Sequence, residues 1–147
     1  WLRLVSAGWG LAAVAAPVVV LRDRPERLTR TDPRYRRAAF RELKMGWLAV
    51  GPLQQRQRVV VWGAGKEGRP WIRWLLAQGH LVPFVVDLSS GGTRQGVPVM
   101  TDTALVEGEF DQLLVAVGAR GARALIRARI QALRPDLAEG RDWWAVA

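Results

Sequence analysis

The sequence lacks cysteine and contains one histidine, His80. A chain without cysteine forms neither disulfides nor thiolate metal sites, and a reducing cytoplasm is the compartment that we expect. A single histidine gives little support to triad chemistry or to a histidine-rich metal site. Because His80 follows a predicted helix end, we interpret it as a cap or a surface residue and not as a catalyst.

Long hydrophobic runs are also missing. The longest apolar stretch covers residues 9–21 and contains Pro17, and it is shorter than the roughly 20 residues that a membrane-spanning helix needs. We expect a buried strand here, centred on residues 18–21, which are three β-branched valines and a leucine. We see no signal-peptide pattern in this stretch, because a basic n-region and a cleavage site should accompany its apolar core. The chain opens on Trp1 instead of Met, so we interpret it as a C-terminal fragment that lacks an upstream part.

Acidic residues are in the minority, and the net charge is +9. Residues 1–52 hold 10 Lys and Arg against 4 Asp and Glu, whereas residues 53–147 hold 12 against 9. Such a field attracts phosphates, nucleotides or anionic lipid headgroups, which leaves peripheral membrane contact open. The arginines between positions 22 and 30 have no interleaved aromatic residues and no recognition-helix pattern, so we expect no nucleic-acid partner.

Turn residues at Gly51-Pro52 and the polar run that follows divide the chain. We predict a linker at 53–57 between a first part, residues 1–52, and a second part, residues 58–147. The first part should contain a helix end at 2–5, an irregular loop at 22–34 and an amphipathic helix at 36–50.

Strand and helix patterns alternate in the second part. We predict strands at 59–62, 84–87, 97–100, 113–117 and 143–146, a helix at 70–78, and a helix with the apolar stripe Ala122, Leu125, Ile126, Ile130 and Leu133. Pro98 places its strand at a sheet edge, because proline cannot donate a hydrogen bond to a neighbouring strand. The alternation predicts an α/β fold: a Rossmann-like parallel sheet with helices on both faces.

A glycine loop with the sequence Gly63-Ala64-Gly65-Lys66-Glu67-Gly68 joins a predicted strand to a predicted helix, which is the context that gives this spacing its meaning. Gly63 permits a tight turn, Gly65 lets a ligand approach the backbone, and Gly68 lets helix and strand pack closely. Free N–H groups and the helix dipole favour an anion there, and Lys66 would add charge. The alternative is a tight turn without a ligand.

Three further positions are candidates for the same site. Asp87 ends the second strand, where an acidic side chain often receives a ribose hydroxyl, although it could merely cap a turn. Gly118 and Arg120 follow the strand that we expect beside the first one, at the crevice where such sheets bind ligands. The competing interpretation of these two residues is a glycine-rich helix start with a solvated arginine.

The first part contains the segments Trp1-Leu2-Arg3-Leu4, Ala7-Gly8-Trp9, Pro17-Val18-Val19-Val20-Leu21-Arg22-Asp23-Arg24-Pro25-Glu26-Arg27-Leu28-Thr29-Arg30, Asp32-Pro33-Arg34-Tyr35 and the helix to Trp47. Together these segments resemble the end of the catalytic domain in bacterial family 2 glycosyltransferases. Residues 58–147 resemble the Rossmann-like domain that some of these proteins carry, which is similar to the N-terminal domain of sugar O-acyltransferases. Here the likeness rests on Val60-Val61-Trp62-Gly63-Ala64-Gly65, Gly96-Val97-Pro98-Val99 and Val115-Ala116-Val117-Gly118.

This resemblance implies an inverting transferase, cytoplasmic or membrane-associated, that uses a nucleotide sugar and a divalent metal. The metal-binding D-x-D, the general base and the saccharide or lipid-linked acceptor would belong to the upstream half. This chain contains no D-x-D, so we assign no catalytic residue and expect the metal in the full-length parent only. The resemblance places Arg22, Arg24 and Arg30 near the donor phosphates or the acceptor.

Three functions therefore stay open. The first is the tail of a glycosyltransferase, inactive alone, with an appended domain that binds a nucleotide or nucleotide sugar. The second is an NAD(P)-binding oxidoreductase-type domain, which would need proton-transfer residues that the sequence does not supply. The third is a non-catalytic structural or interaction module that keeps the glycine loop without a ligand.

Overall fold

The computed structural model describes residues 2–10, 12, 14–22 and 24–147. Four residues lie outside the described residues: Trp1, Leu11, Ala13 and Asp23. Leu11 and Ala13 belong to the apolar stretch 9–21, and Trp1 and Asp23 belong to the segments that carry the family resemblance. The chain divides into two compact units, residues 1–49 and residues 50–147. Among the described residues, no helix is both long and hydrophobic enough to cross a membrane.

The regular elements that the structure describes in the first unit are all helices. Its elements are helix α1 (Leu2–Ser6), helix α2 (Leu28–Thr31), a 3-10 helix (Pro33–Tyr35) and helix α3 (Arg37–Val50), whose last residue lies at the unit boundary. The Asp32 carboxylate accepts the N–H of Arg34 at 2.9 Å and so caps the 3-10 helix. The helices predicted at 2–5 and 36–50 are confirmed.

The strand predicted at residues 18–21 is wrong. These residues belong to no helix or strand, and their side chains are exposed, from 67% for Val19 to 94% for Val20. Their backbone groups hydrogen-bond with no described residue. β-Branched residues favour a strand only where a neighbouring strand provides hydrogen bonds and packing. The strand component of the predicted α/β remnant is therefore not found in the described residues of the first unit.

The second unit is an α/β structure around one six-stranded sheet. Its strands are β1 (Val59–Trp62), β2 (Val85–Val86), β3 (Thr93–Arg94), β4 (Val97–Met100), β5 (Gln112–Val115) and β6 (Trp143–Ala145), and its helices are α4 (Gly68–Ala77), α5 (Ala104–Glu107) and α6 (Ala122–Leu133). The spatial order is β3-β4-β2-β1-β5-β6, and every pairing except β3–β4 is parallel. The prediction of a mainly parallel α/β sheet is confirmed, and the order is compatible with a Rossmann-like fold.

The central strand β1 is buried along its whole length. Because strand side chains alternate between faces, Val60 and Trp62 point to one face, where they share a hydrophobic core with residues of α5 and α6 such as Leu105 and Ile130. Val59 and Val61 point the other way. The helix α4 contacts β1 and buries the apolar stripe Trp71, Ile72 and Leu75. These layers hold the carboxyl end of β1 in a fixed position.

The prediction that Pro98 lies at a sheet edge is wrong by one strand. The two-residue strand β3 lies outside β4, and a turn at Gln95 and Gly96, both with positive φ (55° and 79°), joins the two strands. The missing N–H of Pro98 costs no hydrogen bond on the β3 side, because the neighbouring Val99 makes the bonds there: its N–H donates to Gly92 at 3.0 Å, and its carbonyl accepts from Gly91 at 2.9 Å.

The interpretation of His80 as a cap or surface residue is also wrong. Its side chain is 6% exposed, and Nδ1 accepts the N–H of Gln57 at 3.2 Å. Leu53, the first residue of the predicted linker 53–57, is also buried. Burial lowers the pKa of His80 below its usual 6.5, and the charge of Arg56 lowers it further. Folding therefore favours the neutral form of His80.

We expect the second unit to lose stability as the pH falls below about 6.5. The pKa of His80 is lowered on folding, so the unfolded chain binds more protons between the folded-state pKa and 6.5. The stabilisation from neutral His80 is complete above 6.5 and is lost as the pH falls towards the folded-state value. Urea midpoints at about pH 8 and about pH 5.5 should show this, and His80→Gln should flatten the difference. An equal difference in both proteins would contradict this assignment.

Candidate functional site

The glycine loop begins where β1 ends, and Gly63 anchors it between the two neighbouring strands. Gly63 has φ +117°, a backbone conformation that residues other than glycine rarely adopt. Its N–H donates to the carbonyl of Val86 at 2.7 Å, and a methyl group on its Cα would lie 2.8 Å from the carbonyl oxygen of Ala116. The turn therefore requires glycine, as the sequence analysis predicted.

The other two glycines of the loop differ from each other. A methyl group on Gly68 would overlap the carbonyl oxygen of Gly63, so helix and turn pack directly against each other there. A methyl group on Gly65 would meet no atom within 4 Å. Packing therefore does not explain the glycine at position 65, whereas an approaching ligand would.

The loop leaves several backbone donors unused. Gly63 and Ala64 donate their N–H groups to Val86 and to the Asp87 side chain. The N–H groups of Gly65, Lys66 and Gly68 have no acceptor among the described residues. Free N–H groups at the start of a helix carry partial positive charge and are suited to an anion.

Asp87 connects this loop to the end of β2. Its Oδ2 accepts the N–H of Ala64 at 2.6 Å, and its Oδ1 accepts the N–H of Ser89 at 3.3 Å. Asp87 thus caps its own turn and holds the glycine loop against β2. Each carboxylate oxygen has a second lone pair, so these contacts leave capacity for a ligand hydroxyl.

A cavity of about 240 Å³ opens beside Asp87 at the carboxyl ends of β1, β2 and β5. Its lining combines one carboxylate with apolar side chains and consists of Trp62, Asp87, Leu88, Val117, Ala122, Leu125 and Ile126. β1 is flanked by β2 on one side and by β5 on the other, as predicted, so the strand order reverses here. Open α/β sheets bind their ligands at such a reversal.

The side chains most able to obstruct the loop leave it accessible. Trp62 forms a wall of the cavity, and Arg69 is exposed. Lys66, Arg69 and Arg120 are exposed cations that form no ion pair with any described residue. Gly121 is the N-cap of α6 with φ +80°, so the helix-start interpretation accounts for this glycine without assigning a role to Arg120.

Sequence reasoning missed two residues that line the cavity. Leu125 was assigned to the buried stripe of α6 but is 74% exposed, and Leu88 is 98% exposed. Both flank the cavity. Leu88 could have been identified from the sequence, because it is an apolar residue that directly follows Asp87 at the end of a predicted strand.

The three arginines that the family resemblance selected, Arg22, Arg24 and Arg30, belong to the first unit and are exposed. Arg30 lies in the last turn of α2. No group of three or more His, Asp or Glu residues comes together among the described residues in a way that could hold a metal ion.

Comparison with known proteins adds no relative: no protein-family model, no curated protein and no solved structure matches the chain.

Proposed function

We propose that residues 50–147 form a Rossmann-like domain that binds a nucleotide or nucleotide sugar at the carboxyl edge of β1, β2 and β5. One observation carries the proposal. Three backbone N–H groups that have no acceptor in the part of the chain that the structure describes, those of Gly65, Lys66 and Gly68, occur in a loop that is joined through Asp87 to an apolar cavity. A ligand with phosphates at one end and a flat apolar ring at the other suits both features.

Each part of the site has a distinct role in this proposal. The free N–H groups and the α4 dipole bind the phosphates, with Lys66 and Arg120 contributing charge. The base enters the cavity beside Trp62 and is covered by Leu88 and Leu125. Asp87 accepts a ribose hydroxyl through a lone pair that its two backbone contacts leave unused.

The resemblance of residues 1–52 to family 2 glycosyltransferases makes a nucleotide sugar the first ligand to test. In that extended proposal the chain takes part in glycosyl transfer, and Arg22, Arg24 and Arg30 contact donor phosphates or acceptor. Asp87 at the end of β2 favours NAD as a second candidate, since a carboxylate accepts ribose hydroxyls and repels the 2′-phosphate of NADP. The bond from Ala64 to Asp87 supports the third candidate, a structural loop without a ligand.

A thermal-shift series with UDP-sugars, NAD, NADP and coenzyme A tests the proposal. A ligand that binds only the folded state at 100 times its dissociation constant stabilises that state by about 2.7 kcal/mol. We therefore expect an increase in Tm of several degrees with at least one nucleotide, and a smaller increase with NADP than with NAD. Unchanged Tm values with all four, repeated by calorimetry, would favour the structural module.

A further inference from the structure

We infer that Trp62 donates its indole N–H to the ring of the bound nucleotide, and that the cavity therefore prefers adenine nucleotides to uridine nucleotides. The inference rests on the proposed function and specifies the base of its ligand. It concerns the cavity and not the phosphate contacts of the glycine loop.

Trp62 carries a hydrogen-bond donor that the protein leaves unused. The residue ends β1, is 6% exposed, and shares the hydrophobic core with residues such as Phe84 and Leu113. Its indole N–H has no acceptor among the residues that the structure describes, and it is not one of their fully enclosed polar atoms. Because Trp62 also lines the cavity, the cavity is the space that this N–H can reach. A buried tryptophan N–H normally has a partner, so an acceptor on a ligand would explain the free donor.

The other side chains of the cavity narrow the choice of ring. Among the lining side chains that the structure describes, Trp62 supplies the only donor and Asp87 the only acceptor, and the proposed function assigns Asp87 to the ribose. A ring that suits this cavity presents an acceptor to Trp62 and has few other polar groups to bury. Each donor or acceptor that is buried without a partner opposes binding.

Adenine meets this requirement better than uracil does. The ring nitrogens of adenine are acceptors, and its amino group can remain in solvent at the open side of the cavity. Uracil carries an N–H between two carbonyl groups, so an N–H is buried beside whichever carbonyl accepts from Trp62. Adenine is also the larger ring and buries more surface against Leu125 and Ile126.

The first measurement compares ADP with UDP, which differ only in the base. Calorimetry with the natural protein should give a dissociation constant at least about tenfold lower for ADP. Equal constants, or tighter binding of UDP, would refute the base preference while the proposed function stands. The inference is also wrong if ligands of the thermal-shift series bind but neither ADP nor UDP does. If no nucleotide binds at all, the proposed function fails and this inference with it.

The second measurement tests the indole N–H itself. The 1-, 3- and 7-deaza analogues of ADP each lack one ring acceptor, and we expect one of them to bind the natural protein roughly 5- to 10-fold more weakly than ADP. Trp62→Phe removes the donor and keeps an aromatic ring, so this variant should bind the same analogue as well as it binds ADP. A loss that persists in Trp62→Phe, or no loss with any analogue, would show that Trp62 does not donate to the base.

Trp74→Phe is the matched control, because Trp74 is a half-buried tryptophan of α4 that does not line the cavity. It should retain the loss with the analogue. A readout in the natural protein covers the case in which Trp62→Phe does not fold: the indole N–H resonance of Trp62 should move when ADP is added and much less with the weak analogue. Movement of equal size with both ligands would contradict the contact.

Discussion

Replacing Gly68 with alanine should destabilise the second unit by about 3 kcal/mol or more. The added methyl group overlaps the carbonyl oxygen of Gly63. Gly63 cannot easily move, because its N–H is bonded to Val86 at 2.7 Å and its Cα faces the backbone of Ala116. Relief requires α4 to shift away from β1, which would open the packing around Ile72 and Leu75.

Gly65→Ala is the matched control for that substitution. It lies in the same loop, its φ is outside the left-handed region, and the new methyl group meets nothing within 4 Å. We expect a change in unfolding free energy within about 0.5 kcal/mol. Urea denaturation followed by circular dichroism measures both variants. Equal stability of Gly68→Ala and Gly65→Ala would show that α4 does not pack against the turn as described.

Two apolar runs show how far sequence reasoning extends. Residues 59–62 and residues 18–21 are both short and rich in valine, and both were predicted to be buried strands. The first is the central strand β1, fully buried between two partners, whereas the second is exposed and unpaired within the described residues. Composition favours a strand in both places, but a strand also needs neighbours, and these come from distant parts of the chain.

The elements that were missed are short. The four-residue helix α5 is too brief to show helical periodicity, and β3 has two residues that pair only because Gln95 and Gly96 form a turn. Gln-Gly is a weaker hairpin signal than Asn-Gly, so the pattern gave no warning. β1 and β5 are no longer than α5, but they were recognisable because they contain runs of consecutive apolar residues, and α6 was recognisable because its apolar residues recur at helical spacing over 12 residues.

The candidate site was predictable in its backbone and not in its side chains. Spacing alone assigned Gly63 to the turn and Gly68 to close packing, because both roles are local. The contact from Ala64 to Asp87 joins residues 23 positions apart and depends on the side-chain conformation of Asp87. Leu125 is exposed because it borders the cavity instead of the core, and helical periodicity does not distinguish these two environments.

Gly65→Val should weaken nucleotide binding at least tenfold, which corresponds to about 1.4 kcal/mol, while the fold is retained. A Cβ added at Gly65 would meet no atom of the described residues within 4 Å, so we expect the valine side chain to fit and to block the approach of a phosphate to the free N–H groups. Calorimetry with the ligand that gives the largest Tm increase measures the loss, and the Tm without ligand should stay close to that of the natural protein.

Gly65→Ala refines this test, because its single methyl group should produce a smaller loss than valine. A graded series from glycine through alanine to valine, at constant stability, would assign the phosphate position to the loop. Unchanged affinity in Gly65→Val would exclude the loop as the contact for the ligand. The cavity lined by Trp62 and Asp87 would then bind its ligand without the glycine loop, and Asp87 would serve Ala64 only as a structural acceptor.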